Sequence, residues 1–383
     1  MHRYLKDIIY GDDPNKMTLM SGPRQCGKTT LSKQIFSSFD YFNYDFDEDR
    51  HALLKKRWRR DVEAILLDEI HKMPRWKEWL KGLYDTQGQP PRLVVTGSAN
   101  LETFRKVGDS LAGRYFHYHL HPLDIQELVT LHHMEAEDAF EALWHFSGFP
   151  EPLLKSNARF HRRWQRTHLD MILRQDFLDL FSVQSIKKIE ILVALLRHRV
   201  GSTLSYSSLS RDIQASPPSI RQWLEHLESV YAIFMVRPFH KNIARAILKE
   251  PKIYFFDPTR VMDEGARLEN LVALALLKHL DYLKDREGFD TSLHYLRTKD
   301  GLEVDFLLCV EDEPILCVEV KTRDDTPSKA FRPFQKSYPE VPCVQLVRHL
   351  KRSFDTENKI MVRDLVSFLK DLSMYDWIPS KGL

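Results

Sequence analysis

Gly22-Pro23-Arg24-Gln25-Cys26-Gly27-Lys28-Thr29 has the complete pattern of a phosphate-binding loop. Its flanks are the ones such a loop requires. Met17-Thr18-Leu19-Met20 reads as a short apolar strand, and Thr30 to Phe36 reads as the helix that follows. Two glycines let the chain wrap closely, so that successive N–H groups face an anion, and the helix N-terminus adds partial positive charge. The expected nucleotide contacts are Gly22, Pro23, Arg24, Gln25, Cys26, Gly27, Lys28, Thr29 and Thr30. Lys28 reaches the terminal phosphates, and the Thr29 hydroxyl joins a magnesium shell. A plain glycine-rich strand–helix turn is the bland alternative.

The rest of such a site lies downstream. Ala64-Ile65-Leu66-Leu67 is an unbroken apolar run, as expected of a parallel strand buried on both faces, and it ends in Asp68-Glu69. Asp68 is expected to hold the magnesium, and Glu69 to polarise the attacking water, which separates hydrolysis from simple nucleotide binding. A solvated acidic pair is the competing reading. The next strand, Arg92 to Thr96, leads into Gly97-Ser98-Ala99-Asn100, where Ser98 is the first choice for sensing the γ-phosphate, ahead of Thr96 and Asn100. Arg114 precedes another strand, Tyr115 to Leu120. It is expected either to reach phosphate, its own or that of a second copy in a homo-oligomer, or to be a surface charge.

Composition fits a multi-domain chain of the reducing cytoplasm. There are 383 residues, 43% of them hydrophobic, with a formal charge of +2, so bulk charge does not argue for a nucleic-acid partner. Cys26, Cys309, Cys317 and Cys343 have no metal-ligand spacing. No apolar run of membrane-spanning length occurs, so no membrane partner is expected.

Strand and helix alternate over 1–125. The pattern turns helical over 126–185, consistent with a lid on the nucleotide, and 186–245 reads as a winged helix of three helices and a strand. The third of these helices carries Arg221 but also Glu225 and Glu228, so DNA contact and subunit packing both stand. In 246–383, Glu269 lies on a helix. A hairpin around Thr298-Lys299-Asp300-Gly301 presents Asp305, and Ile315 to Lys321 places Glu319 and Lys321 on one face of a strand. If these strands are neighbours, two carboxylates and an ammonium converge. They form either a magnesium site that acts on a phosphodiester or a salt-bridged cluster without catalytic role.

Several motifs together resemble one family: the prokaryotic ATPases with an AAA-type N-terminal module and a C-terminal region, formerly of unknown function, similar to PD-(D/E)XK nucleases. They are 22–31, Leu-Asp-Glu-Ile-His-Lys-Met-Pro-Arg-Trp (67–76), Thr-Gly-Ser-Ala (96–99), Leu-Ala-Gly-Arg-Tyr (111–115), Gly-Phe-Pro-Glu-Pro (148–152), Lys-Ile-Tyr-Phe-Phe-Asp (252–257), Glu-Asn-Leu-Val (269–272), Glu-Val-Asp-Phe (303–306) and Glu-Val-Lys (319–321). The resemblance implies an α/β fold: a P-loop NTPase parallel sheet with helical lid, a winged-helix middle domain and a C-terminal PD-(D/E)XK-like domain. It implies ATP hydrolysis with Mg2+, and it puts Glu269, Asp305, Glu319 and Lys321 at the nuclease-core positions, with Glu269, Asp305 and Glu319 as metal ligands. The expected function is an ATPase coupled to a nuclease-like, DNA-interacting domain. The alternative is an ATP-controlled interaction switch whose nuclease-like domain is catalytically silent.

Overall fold

The computed structural model describes residues 2–87, 91–97, 111–177, 186–239, 249–298 and 300–378. The chain forms two compact units. The first is Met1–Pro122 with Phe149–Glu151 and Ser229–Tyr231; the second is Leu123–Gly148, Pro152–Glu228 and Ala232–Leu383.

The first unit is built on five parallel strands: β1 (Met17–Ser21), β2 (Phe39–Asn43), β3 (Ala64–Asp68), β4 (Arg92–Gly97) and β5 (Tyr115–His119), in the order β2-β3-β4-β1-β5. Strands β1, β3 and β4 are buried along their whole length, because helices cover both faces of a parallel sheet. Met17, Leu19, Ile65, Leu67, Leu93 and Val95 pack with Leu80 and Leu83 of the helix Trp76–Gln87. Burial of each such side chain is worth about 1.5–3 kcal/mol. Parallel register collects the polar strand ends at one edge: Asn43 pairs with Asp68, Asp68 with Thr96, and Ser21 with Gly97.

The second unit opens with the helices Ile125–His132 and Ala136–Phe146, within the stretch whose sequence pattern is helical. A further helix, Ala158–Met171, passes at Ile172 into a π-helical turn ending at Asp176. Three helices follow: Ile186–Leu196, Tyr206–Ile213 and Pro217–Ser229. The remaining strands are β6 (Ile233–Pro238), β7 (Lys252–Phe255), β8 (Thr291–Arg297), β9 (Glu303–Val310), β10 (Glu313–Lys321), β11 (Cys343–Val347), β12 (Phe354–Asp355) and β13 (Ile360–Asp364). They form one sheet in the order β12-β13-β11-β10-β9-β8-β6-β7.

The strand expected to close a separate middle module, β6, pairs antiparallel with β7 and parallel with β8. The sheet therefore runs across the expected 245/246 boundary. The helix Glu264–Glu287 carries Glu269. It is capped by the Asp263 carboxylate, which accepts from the Ala266 N–H, and it ends at Gly288 with φ +80°.

Candidate functional site

The phosphate loop spans β1 and the helix Lys28–Ile35. Gly22 is required by close approach: a Cβ there would stand 2.2 Å from the Leu120 carbonyl oxygen. Gly27 adopts φ +103° directly before the helix, a conformation that side chains disfavour. Gln25 also lies at positive φ, 64°. Arg3, outside every motif, braces the loop by donating from Nη1 to the Cys26 carbonyl at 2.7 Å and from Nη2 to the His121 carbonyl at 2.5 Å. Cys26 is fully buried, and its thiol donates to the Leu120 carbonyl at 3.3 Å. Thr30 is exposed on the helix.

Lys28 is buried and folded back, its ammonium donating to the Gly22 and Pro23 carbonyls at 2.8 Å each. Across the sheet edge stands Asp68. Its Oδ2 accepts from the Thr29 hydroxyl at 2.7 Å and from the Tyr41 phenol at 3.0 Å, and its Oδ1 accepts from the Thr96 hydroxyl at 2.6 Å. Burial first, and then the Asp68 charge, push the Tyr41 phenol well above its ordinary value, so it remains a donor. These three partners are neutral hydroxyls, which orient the carboxylate without cancelling its charge. With the Thr29 hydroxyl alongside, this donor set fits a magnesium ion carried in by a phosphate ligand.

Glu69 takes a left-handed conformation, φ 55°, with its N–H on the Thr96 carbonyl at 3.1 Å. The turn puts its carboxyl 3.5 Å from His71 Nε2. Burial raises its pKa above the ordinary value, Lys28 opposes that shift, and Asp68 reinforces it. Ser98 and Asn100 lie outside the described residues. Arg114 is not beside the loop of its own chain. It precedes β5, whose parallel register sets Tyr115 against Met17, so it sits at the opposite edge of the sheet from residues 22–29. There Nε and Nη2 hold both Asp85 oxygens at 2.8 and 3.2 Å.

The second unit brings the other expected residues together. Asp305 Oδ2 accepts from the Val320 N–H at 2.9 Å, Glu319 Oε2 accepts from the Asp305 N–H at 3.3 Å, and Lys321 Nζ donates to Glu319 Oε1 at 2.6 Å. Glu269 Oε1 accepts from the Tyr254 phenol at 2.6 Å. Its other oxygen faces Gly201, where a Cβ would stand 2.7 Å away.

A residue without an assigned role in the sequence reading lies inside this cluster. Lys252, 1% exposed, holds Glu303 Oε1 at 2.7 Å, Glu269 Oε1 at 3.2 Å and Asp305 Oδ1 at 3.4 Å. Burial opposes its charge, but these carboxylates outweigh it and hold the ammonium well above the usual lysine range. Burial and the neighbouring Asp305 push Glu269 up to about 7, and the same two causes push Glu319 up to about 7.

Glu269, Asp305 and Glu319 do not fit a magnesium site in this arrangement. The donors on these oxygens include two ammonium groups, Lys252 Nζ on Asp305 Oδ1 and Glu269 Oε1 and Lys321 Nζ on Glu319 Oε1, so the positive charge that a metal would bring is already present. Among the described residues, no group of three His, Cys, Asp or Glu side chains is disposed to hold a metal ion. Lys252 alternates with Tyr254 at the head of a buried strand, but the carboxylates that surround it lie 17 to 53 residues further along the chain.

Arg221, the cation of the expected DNA-reading helix, pairs with Glu225 at 3.2 Å. Among the described residues no helix is long and apolar enough to cross a membrane.

Comparison with known proteins yields three consecutive matches: an AAA domain over residues 14–129, a domain of unknown function (DUF8612) over 137–260, and a domain of unknown function (DUF4143) over 264–364. Similar chains include uncharacterized proteins of Mycobacterium bovis and Mycobacterium tuberculosis. Each is 26% identical over 330 residues, covering 82% of this chain and 71% of the relative. A solved structure from Pyrococcus horikoshii, a signal transduction ATPase with numerous domains and a tetratricopeptide repeat sensor, matches at 13% identity with a TM-score of 0.21. The match covers 74% of this chain and 46% of that protein, less than half its length. The chain thus carries an AAA-type P-loop ATPase-like domain followed by a DUF4143 domain.

Proposed function

We propose that the first unit binds ATP with Mg2+ and hydrolyses it. The observation that carries this reading is the Asp68 carboxylate, oriented by Thr29, Thr96 and Tyr41 beside a buried, retracted Lys28. The loop amides from Gly22 to Thr29 cradle the phosphates, and Lys28 exchanges its two carbonyl partners for phosphate oxygens. Thr29 and Asp68 would hold Mg2+, whose chemistry is to neutralise phosphate charge and align the terminal group. Glu69, its pKa raised above the ordinary carboxylate value by burial, accepts a proton from the attacking water. Arg114, committed to Asp85 within its own chain, serves phosphate only if a second copy presents its loop there.

The test is Glu69→Gln. ATP affinity is expected to persist, while turnover falls by about 10²–10⁴-fold, the usual contribution of a positioned general base. Normal turnover in this variant rules out the assignment.

For the second unit we propose the switch reading, in which ATP turnover controls a domain that docks a partner without cutting nucleic acid. Lys252 favours it over the nuclease reading, because it occupies the carboxylates that cleavage needs for metal. Incubation with single- and double-stranded DNA, Mg2+ and ATP separates the two. DNA cleavage that disappears in Asp305→Ala restores the nuclease reading. DNA-stimulated ATP turnover without cleavage makes DNA the docked partner.

A further inference from the structure

We infer that Lys252 is a built-in counter-ion that takes the place of a divalent metal and makes the Glu269–Glu303–Asp305 cluster an internal joint instead of a metal centre. The inference rests on reading these carboxylates as nuclease-like in position.

Four segments meet at Lys252, two through its backbone and two through its ammonium. Lys252 heads β7, which pairs with β6, and a single bridge joins Lys252 to Thr203 of the helical region before it. Its carboxylate partners come from the helix Glu264–Glu287 and from β9. Glu303, the nearest at 2.7 Å, is also 3.8 Å from Arg297, which in turn donates to the Thr203 hydroxyl at 2.7 Å. Gly201 (φ +74°) admits the Glu269 carboxylate, because any Cβ would meet it. The cluster therefore ties residues 201–203 to the helix and to the sheet. That is a load on backbone position, which a cation arriving from solvent would not need to bear.

The chemistry of the two cations differs. A divalent ion at Asp305 and Glu319 needs carboxylates whose negative charge is not already matched by a cation of the chain. Here the Lys252 ammonium sits on Asp305 Oδ1 and the Lys321 ammonium on Glu319 Oε1. A tethered ammonium reaches three carboxylates at 2.7–3.4 Å with three N–H bonds. Because it belongs to the chain, it is not lost to chelators or exchanged with solvent.

The experiment is Mn2+ binding followed by electron paramagnetic resonance, without nucleotide, on the full chain carrying Asp68→Asn to silence the first unit. This chain is expected to bind no Mn2+ below about 1 mM. Adding Lys252→Ala should create one site at least about tenfold tighter, which Asp305→Asn removes again, and Mn2+ should raise the thermal midpoint of that variant by several degrees. If Lys252→Ala does not fold, the Asp68→Asn arm decides alone. Mn2+ bound tightly there and lost on Asp305→Asn overturns the inference, whereas absence of binding supports it. DNA cleavage is scored separately. A chain that binds no Mn2+ yet cuts DNA refutes the switch reading and leaves the counter-ion standing.

Discussion

Two carboxylate sites in this molecule are built from the same kind of residue and are made ready for opposite ends. At Asp68 the partners are the hydroxyls of Thr29, Thr96 and Tyr41, which fix the group and leave its negative charge in place. At Asp305 and Glu319 the partners include the ammoniums of Lys252 and Lys321, which spend that charge inside the fold. The lesson is that carboxylate count and spacing do not decide whether a site takes a cation. The charge of the donors around it does.

The contrast breaks most visibly at Lys252. Lys252→Met leaves Glu269, Glu303 and Asp305 without their shared cation, and a broken buried pair costs about 3–5 kcal/mol. Urea unfolding followed by a probe in the second unit checks this, and an unchanged transition would show that the cluster is not held by the ammonium. Lys28→Ala is the counterpart in the first unit. It should remove about 2–5 kcal/mol of ATP affinity, read by calorimetry, with little change in unfolding.

A pH titration sharpens the same comparison. Glu269 and Glu319, each pushed up to about 7 against an ordinary 4.5, favour the fold in their protonated forms. Their contribution is fully present below about pH 4.5 and is lost as pH rises through about 7. For each proton released the slope is at most about 1.4 kcal/mol per pH unit. Between those limits the second unit should lose stability as pH rises, and Glu269→Gln should flatten the profile. An identical profile in that variant contradicts the linkage.

The smallest effect is expected at Tyr41. One of three hydroxyls leaves Asp68 in Tyr41→Phe, so the Mg2+ concentration for half-maximal ATP turnover should rise about tenfold. Metal-free nucleotide affinity should not move. A change in that affinity would point to a general disturbance of the sheet edge.

Much of the first unit was legible because its signals are local. The loop fixes β1 and its helix, and the apolar run from Ala64 fixes β3 and sets Asp68 and Glu69 at its end. The role of Tyr41 was not legible, since its contact with Asp68 depends on β2 lying beside β3. The same limit explains Arg114. Its proximity to β5 is a sequence fact, but the edge of the sheet it occupies follows from parallel register with β1.

In the second unit the convergence of Asp305, Glu319 and Lys321 was visible from strand alternation and a hairpin turn. The joining of β6 to β7 and β8 was not, because it brings together strands far apart in sequence. Lys252 was hidden for the same reason. A lysine at the head of an apolar strand reads as a solvated end until the partners that surround it are known.

The central claim is that the first unit grips and splits ATP, and one titration tests it most directly: purified full chain with ATP and Mg2+, following bound nucleotide and released phosphate together. The account predicts one ATP per chain with steady phosphate release, both strongly reduced in Lys28→Ala and release alone strongly reduced in Glu69→Gln. A full chain that binds no ATP in the presence of Mg2+ contradicts it.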